Sequence, residues 1–299
     1  MSTSFAQRLT DAVAGRESQI VLGLDPDPAR LWPAAGAAAD PPGEPAARAA
    51  RAVVEHCRLL IEAAGPACVA VKAQLACFER LGAPGWTALA EVVALARAEG
   101  LLVIADGKRG DVPVSAAAYA QALAGSTPTL AGEVPGLDVD AFTANPLLGV
   151  DALEPLVASG AGVFVLVRTS NPGAADVQDR ELASGERVWE RLARLVDELG
   201  EVRSCGLSDV GAVIGATVPE HLVRARELMA HAIFLLPGIG AQGGRVEDLA
   251  PAFAPGRAGG LVTASRAIAY AYETSGGDPA EAALREAQRL RAIAWSLAG

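Results

Sequence analysis

Residues 101–112 have the sequence LLVIADGKRGDV, in which an uninterrupted apolar run is followed at once by a cluster of charged residues. A short strand that is apolar on both faces is typical of a parallel sheet covered by helices on each side. The charged residues that follow therefore lie at the carboxyl end of a buried strand. In barrels and open sheets of this kind, that edge holds the active site.

The same pattern recurs along the chain, with segments of helical period between the apolar runs. Together with residues 101–107, the predicted strands are QIVLGLD (19–25), CVAVKA (68–73), DAFTA (140–144), GVFVLVR (162–168), VGAVIGA (210–216), AIFLLPG (232–238) and GGLVTAS (259–265). Eight βα units in a chain of 299 residues predict a TIM (β/α)8 barrel, with a doubly wound open sheet as the alternative. Because no linker or solenoid repeat divides the chain, one domain over residues 1–299 is expected.

Only two lysines occur in the chain, Lys72 and Lys108, although arginine is frequent. Arginine stays protonated, whereas lysine is a compact ammonium that can give up a proton or form a Schiff base. Both lysines come at the ends of predicted strands. This placement indicates a chemical role, and the alternative is a drift in composition that left two surface lysines.

The segment from Asp106 to Asp111 carries the strongest indication of chemistry. On an extended backbone residues i and i+2 point the same way, so Asp106 and Lys108 are expected side by side. Asp111 follows after a turn at Gly110, and Lys72 comes from the neighbouring strand, which gives alternating charges that satisfy one another. A charged Lys108 between carboxylates is a poor Schiff-base nucleophile but can stabilise and protonate a carbanion. A purely structural ion-pair network is the alternative.

A second cluster follows the last two predicted strands, in LLPGIGAQGG (235–244) and LVTASRAI (261–268). The loops after strands seven and eight of a TIM barrel commonly bind phosphate. Backbone amides at glycines such as Gly243 can approach phosphate oxygens, and Arg266 can add a bidentate contact. The alternative is that the glycines only form turns and Arg266 is solvated. Asp25, after the first strand, suits two sugar hydroxyls or else forms a turn.

Three long loops can close over a ligand, at residues 31–46, 171–184 and 241–258. The first is rich in Ala, Pro and Gly, and it suits a tolerated surface insertion better than the other two.

The composition excludes several functions. A net charge of −10 argues against nucleic acid and membrane surfaces as partners, but it allows an anionic small molecule in a local positive pocket. The four cysteines form no CxxC pair and the three histidines are scattered, so no metal site is expected and a reducing, cytoplasmic compartment is favoured. Residues 1–18 resemble an amphipathic helix instead of a signal peptide, and no apolar run is long enough to span a membrane.

Seven segments, in order along the chain, resemble the orotidine 5′-monophosphate decarboxylase family, in particular its longer bacterial (type 2) subfamily. They are LGLDPDP (22–28), VKAQLACFE (71–79), ADGKRGDV (105–112), FTANPLLG (142–149), VLVRTSNPG (165–173), LPGIGAQGG (236–244) and SRAI (265–268). The resemblance covers nearly the whole chain, and an Asp-x-Lys-x-x-Asp element with an upstream lysine is highly specific in combination. It implies a TIM barrel that converts orotidine 5′-monophosphate to UMP and CO₂ without metal or cofactor, usually as a homodimer with active sites at the interface.

The resemblance also implies roles for individual residues. The implied catalytic tetrad is Lys72, Asp106, Lys108 and Asp111. Within it Lys108 is the expected proton donor, and Asp111 is expected to reach into the partner's active site.

For substrate binding, the resemblance implies that Asp25 holds the ribose and that Asn145 lies on the pyrimidine side. Gln242 and Arg266 are the implied phosphate ligands, next to the backbone of Gly243.

The chain departs from the subfamily directly after Asp111, where it has Asp-Val-Pro-Val-Ser in place of a run close to Asp-Ile-Gly-Ser-Thr. Ser115 can supply the hydroxyl of the usual threonine. Pro113 removes a backbone donor and puts the geometry of this loop in question.

Three other functions are alternatives. Sugar-phosphate decarboxylases or aldol-type synthases of the same superfamily share the Asp-x-Lys-x-x-Asp element, but they use Mg²⁺ and typically carry an acidic residue where this chain has Lys72. A Schiff-base aldolase is disfavoured by the carboxylates that flank Lys108. A non-catalytic nucleotide-binding protein on an enzyme scaffold is the alternative that only an assay distinguishes.

Overall fold

A closed barrel of eight parallel strands is the centre of the computed structural model, which describes residues 3–40, 42–240 and 243–299. The strands of the described residues are β1 (Ile20–Leu24), β2 (Ala70–Gln74), β3 (Leu102–Arg109), β4 (Ser126–Thr129), β5 (Gly132–Pro135), β6 (Ala141–Ala144), β7 (Gly162–Arg168), β8 (Val210–Ile214), β9 (Phe234–Leu236) and β10 (Gly260–Ala264). The barrel runs β1-β2-β3-β6-β7-β8-β9-β10, and β10 pairs with β1. This closure confirms the TIM barrel and rules out the open sheet.

One helix precedes the first strand, and most of the other helices follow barrel strands and cover the outside of the barrel. The helices are α1 (Phe5–Arg16), α2 (Pro33–Gly36), α3 (Pro45–Ala64), α4 (Leu75–Glu79), α5 (Ala83–Ala98), α6 (Pro113–Ala124), α7 (Val150–Val157), α8 (Val188–Leu199), α9 (Pro219–Leu228), α10 (Arg266–Ala269), α11 (Tyr272–Ser275) and α12 (Pro279–Leu297). Short 3₁₀ turns lie at Ala37–Ala39, Gly65–Ala67, Pro172–Asp176, Val246–Asp248, Ala250–Phe253 and Arg257–Gly259.

Each of the eight predicted apolar segments overlaps one barrel strand, and β2 and β3 extend one and two residues beyond the predicted ends. The strands are mainly apolar because one face packs inside the barrel and the other against the helices, and β1, β6, β8, β9 and β10 are buried along their whole length. The antiparallel hairpin β4–β5 was not predicted. Nearly all of its residues are exposed, so its sequence has no buried face and no apolar alternation that would indicate a strand.

Helix α1 packs against the amino ends of the strands, at the end of the barrel opposite the site described below. Ser4 caps it by accepting a hydrogen bond from the Gln7 amide. The Phe5 ring meets Phe164 edge-on, with ring centroids 5.9 Å apart. It also covers Gly162, where a Cβ atom would lie only 2.3 Å from the ring. Burial of a side chain such as Phe5 stabilises the fold by about 1.5–3 kcal/mol.

Two further observations concern possible membrane-spanning helices and the cysteines. Across the described residues, no helix is both long and apolar enough to cross a membrane. All four cysteines are free thiols.

Candidate active site

A cavity of about 710 Å³ opens at the carboxyl ends of the barrel strands. Most of the side chains singled out from the sequence line it, namely Asp25, Lys72, Asp106, Lys108, Asn145 and Arg266. Because the strands are parallel, residues distant in sequence meet at this face. Within the described residues, no group of three His, Cys, Asp or Glu side chains is arranged to hold a metal ion.

Asp106, in β3, stands at the centre of the charged cluster. Its Oδ2 atom accepts a hydrogen bond from Lys72 Nζ at 2.6 Å, and its Oδ1 atom accepts one from Lys108 Nζ at 2.6 Å. Lys72 Nζ also lies 3.7 Å from Asp25 Oδ1. The charges alternate in the order Asp25, Lys72, Asp106 and Lys108, so each buried charge has an opposite neighbour.

The two ammonium groups differ in how deeply they are buried. The Lys72 and Asp106 side chains are 6% and 7% exposed, whereas Lys108 is 42% exposed and faces the cavity. Burial alone raises the pKa of the Asp106 carboxyl, but Lys72 and Lys108 outweigh it and hold that pKa well below its ordinary value. Burial likewise lowers the pKa of the Lys72 ammonium, but Asp25 and Asp106 outweigh it and the pKa is raised. Lys72 and Asp106 are therefore charged at neutral pH.

Lys108 reaches Asp106 by a different backbone path from the one expected. Its φ angle is 48°, in the left-handed region, and the register with β6 shifts between Ala105 and Arg109. The extended i, i+2 arrangement was therefore the wrong reason for a pairing that does occur. A left-handed lysine costs on the order of 1–3 kcal/mol, so the surroundings must hold it. Thr143 Oγ1 does so by accepting a hydrogen bond from the Lys108 amide at 2.8 Å.

Thr143 is the residue that sequence reasoning missed. Its hydroxyl donates to Asp106 Oδ1 at 2.9 Å while accepting from the Lys108 backbone, so it fixes both members of the central pair. Gln74 Nε2, at 3.4 Å from Asp106 Oδ2, is a weaker neighbour that was also missed. Strand alternation contained a usable signal, because Thr143 is the polar residue of β6 and lies two positions before Asn145.

Gly110 lies directly after β3, where the chain passes close to Asn145. A Cβ atom at Gly110 would lie 2.6 Å from the Asn145 carbonyl oxygen, so the close approach of β3 to the end of β6 requires glycine. Asn145 lines the cavity, and its Oδ1 atom accepts from the Leu147 amide at 3.1 Å. The side chain is thus held at the end of β6.

Asp111 and Ser115 do not line the cavity of their own chain. Asp111 Oδ1 accepts a hydrogen bond from the Val112 amide at 2.7 Å, and Ser115 lies in the first turn of α6. Pro113 begins this helix at the position where the missing N–H costs nothing. The concern that Pro113 distorts the loop is therefore not supported within a single chain.

The expected phosphate site is only partly described. Arg266 lines the cavity at its mouth and is exposed. Gly243 is described with a φ angle of 89°, but it does not line the cavity. Gln242 lies outside the described residues. Of the loop at 235–244, Pro237, Gly238 and Ile239 reach the cavity wall.

Two further walls complete the cavity. Leu166, Val213, Leu235 and Thr263, from the inner faces of four strands, form part of it. Residues of the loop after β7 line another side, as expected for residues 171–184. None of the described residues within 31–46 lines the cavity.

The site is thus a TIM barrel with two ammonium groups on one buried carboxylate at the carboxyl ends of the strands, which is the face where TIM-barrel enzymes carry their active sites. Comparison with known proteins gives the family. The sequence model of the orotidine 5′-phosphate decarboxylase / HUMPS family matches residues 18–285. The chain belongs to this family.

Individual relatives agree. Orotidine 5′-phosphate decarboxylase of Deinococcus radiodurans is 43% identical over 291 residues, which cover 95% of this chain and 96% of the relative. The protein of the same name from Haloarcula marismortui is 42% identical over 272 residues, covering 90% and 88%. The solved structure of Leishmania donovani OMP decarboxylase is similar with a TM-score of 0.74 and 31% identity, covering 98% of this chain and 99% of that one.

Proposed function

We propose that this chain decarboxylates orotidine 5′-monophosphate to UMP and CO₂, the last step of de novo pyrimidine nucleotide biosynthesis, without metal or cofactor. The observation that carries the proposal is Asp106 held at 2.6 Å by each of two ammonium groups, with Lys108 open to the cavity. Relatives named for this activity match over nearly their whole length. One domain over residues 1–299 carries the activity.

Lys108 performs the proton chemistry. When the bond between pyrimidine C6 and the carboxylate breaks, CO₂ leaves and the electron pair stays on C6. The Lys108 ammonium stabilises this charge as it forms and then gives its proton to C6. The neutral amine recovers a proton from solvent, which reaches it because the side chain is 42% exposed. Asp106 keeps the ammonium in place throughout.

The remaining cavity residues hold the nucleotide. Asp25 is assigned to the ribose hydroxyls, since it lies beside Lys72 at the end of β1 and is 35% exposed. Arg266 is assigned to the phosphate and Asn145 to the pyrimidine side. Gln242 and the backbone of Gly243 complete the proposed phosphate site. A phosphate remote from C6 can supply binding energy that orients the ring.

The proposed assembly is a homodimer in which Asp111 and Ser115 enter the partner's cavity. Four apolar side chains near Asp111 are largely exposed, which supports an interface there: Val112 at 55%, Val114 at 84%, Leu147 at 81% and Leu148 at 52%. They belong to the segments after β3 and β6, which are neighbours in the barrel. The four free cysteines support a reducing, cytoplasmic location.

Metal-dependent sugar-phosphate chemistry is the second candidate, because the family description also includes HUMPS. It is disfavoured by the Lys72 ammonium, which stands where relatives of that kind typically carry a carboxylate. A non-catalytic nucleotide-binding protein is the third candidate, and the same assay addresses it.

The test is to incubate the purified protein with orotidine 5′-monophosphate and EDTA, and to follow the loss of the orotate chromophore and the appearance of UMP. Turnover at the same rate with and without EDTA is expected, with the Lys108→Ala protein as the inactive control. Turnover that EDTA abolishes and Mg²⁺ restores would contradict the metal-free reaction. An absence of turnover under all conditions would favour the nucleotide-binding protein.

A further inference from the structure

The loop between β7 and α8 forms a wall of the cavity away from the charged cluster. Residues of its first half line the cavity, namely Thr169, Ser170, Asn171, Gly173, Ala174, Val177 and Gln178. The regular structure within them is one 3₁₀ turn, Pro172–Asp176. A segment of this kind needs tertiary contacts to keep one conformation, because ordering each residue costs about 1–2 kcal/mol.

Arg168, the last residue of β7, supplies such contacts. Its side chain is 10% exposed, and its Nε and Nη2 atoms donate to the two carboxylate oxygens of Asp179 at 2.8 and 2.9 Å. Its Nη1 atom donates to the carbonyl oxygen of Thr169. The paired, charge-assisted geometry is the strong form of this interaction. The Arg168 hydrogen bonds hold the pKa of the Asp179 carboxyl below its usual value.

Gln178, next to Asp179, is fixed by the same arrangement. Its Oε1 atom accepts from the Thr169 amide at 2.8 Å, and its Nε2 atom donates to Thr169 Oγ1 at 3.1 Å. Its carbonyl oxygen accepts from the Trp189 amide at 2.9 Å. The Thr169 hydroxyl also lies 3.3 Å from Gln178 Oε1, and the primary amide still has one N–H beyond these bonds. Gln178 therefore presents oriented polar groups at the cavity wall.

We propose that Arg168 and Asp179 form a clasp that positions the Gln178 side of the cavity against the nucleotide, and that Arg168 is a positioning residue for the reaction. Arg168 and Asp179 flank the two ends of the lining segment. These ends, Thr169 and Gln178, lie within hydrogen-bond distance of each other. Arg168 does not line the cavity itself, so its loss is expected to act on how the nucleotide is held. This proposal rests on the proposed function.

The test uses Arg168→Gln, Arg168→Lys, Asp179→Asn and the double variant Arg168→Gln/Asp179→Asn. KM for orotidine 5′-monophosphate is expected to rise by about 10- to 100-fold in Arg168→Gln, with a smaller change in kcat, since misplacement of a binding wall has costs of this size. Lysine cannot make the paired contact, so Arg168→Lys is expected to recover only part of the loss. The double variant should be no worse than Arg168→Gln, because both changes remove one interaction.

Arg203→Gln is the matched control. Arg203 Nε lies 2.8 Å from Asp209 Oδ2, in a pair of similar length that lies away from the cavity. Its removal is expected to leave KM unchanged. Thermal unfolding of every variant separates misfolding from misplacement, and Asp179→Asn keeps the size of the side chain if Arg168→Gln does not fold.

Wild-type KM and kcat in folded Arg168→Gln and Asp179→Asn would overturn the clasp, whether or not the melting temperature falls. Additive losses in the double variant would also overturn it. An inactive wild-type protein would instead contradict the proposed function, and UMP titration calorimetry then tests the clasp alone. Weaker UMP binding in Arg168→Gln than in Arg203→Gln would support it, and equal binding would overturn it.

Discussion

At the scale of single residues, Asp106 organises the site because both of its oxygens bind an ammonium group. Such a carboxylate is stable only while its partners are present, since removal of one partner from a buried pair costs about 3–5 kcal/mol. Lys72 serves this requirement from within the protein, at 6% exposure, and Lys108 serves it from the cavity. Lys72 is therefore buried within the protein, whereas Lys108 is accessible from the cavity.

Thr143 provides a test of how the pair is held. Thr143→Val removes the hydroxyl that donates to Asp106 and accepts from the Lys108 amide. We expect kcat/KM to fall by about 10- to 100-fold, the size of a lost hydrogen bond to a charged group. Thr143→Ser keeps the hydroxyl and should retain most of the activity. Equal rates for the serine and valine variants would show that this hydroxyl does not position Lys108.

The limits of prediction from sequence are visible at these residues. The charge alternation of Asp106, Lys108 and Lys72 was predictable, because residue type and the strand ends carry it. The left-handed backbone of Lys108 was not, because it depends on a hydroxyl 35 residues later in the neighbouring strand. The requirement for glycine at position 110 was not predictable either, because it arises from contact with the Asn145 carbonyl oxygen in another strand segment.

At the scale of elements, apolar runs located all eight barrel strands because burial on both faces leaves a strong sequence signal. The hairpin β4–β5 has no such signal. From sequence, residues 31–46 suit a tolerated insertion better than the other two long loops, but Trp32 within them is 3% exposed. Its indole Nε1 donates to the Ala269 carbonyl at 2.7 Å, and its amide donates to His56 Nδ1 at 3.1 Å. The start of this loop is therefore tied to α3 and α10.

The Trp32–His56 contact predicts a pH dependence of stability. Burial, which disfavours the charged imidazolium, lowers the pKa of His56 to about 4. Nδ1 accepts the hydrogen bond from the Trp32 amide in its unprotonated form. The unfolded chain, with a histidine pKa of about 6.5, binds a proton that the folded chain does not between about pH 6.5 and 4. The free energy of unfolding should therefore be fully retained above about pH 6.5 and fall by up to about 3 kcal/mol on acidification to pH 4.

The measurement is urea unfolding between pH 7.5 and 4 for the natural chain and for His56→Asn. Asparagine can accept the same hydrogen bond but does not titrate in this range. The variant should be less stable at neutral pH and lose less stability on acidification. Parallel pH profiles for the two proteins would mean that another group causes the acid sensitivity.

At the scale of the whole molecule, the proposed dimer makes the active site a shared property. Two inactive variants, Lys108→Ala and Asp111→Ala, should complement one another when mixed. In a mixed dimer one site takes Lys108 from one chain and Asp111 from the other and is intact, while the second site carries both changes. With random exchange about half of the dimers are mixed, so about a quarter of the natural activity should return.

Subunit exchange must be shown independently, for example with differently tagged chains. A fully active monomer in sedimentation experiments, or proven exchange without recovered activity, would contradict the shared site. The subunit interface was the feature least predictable from residue patterns. An interface is a property of two copies, and a single chain records it only as exposed apolar residues such as Val114 and Leu147.

The central claim is that the Lys108 ammonium stabilises the developing carbanion and delivers the proton to C6. Lys108→Arg tests it most directly, because arginine keeps the positive charge but is bulkier and a far weaker acid. The measurement is kcat for orotidine 5′-monophosphate, with Lys108→Ala for comparison. We predict that Lys108→Arg is nearly as inactive as Lys108→Ala, with a loss of at least about a thousandfold, or roughly 4 kcal/mol. Near-natural turnover by the folded Lys108→Arg protein would contradict the assignment of Lys108 as the proton donor.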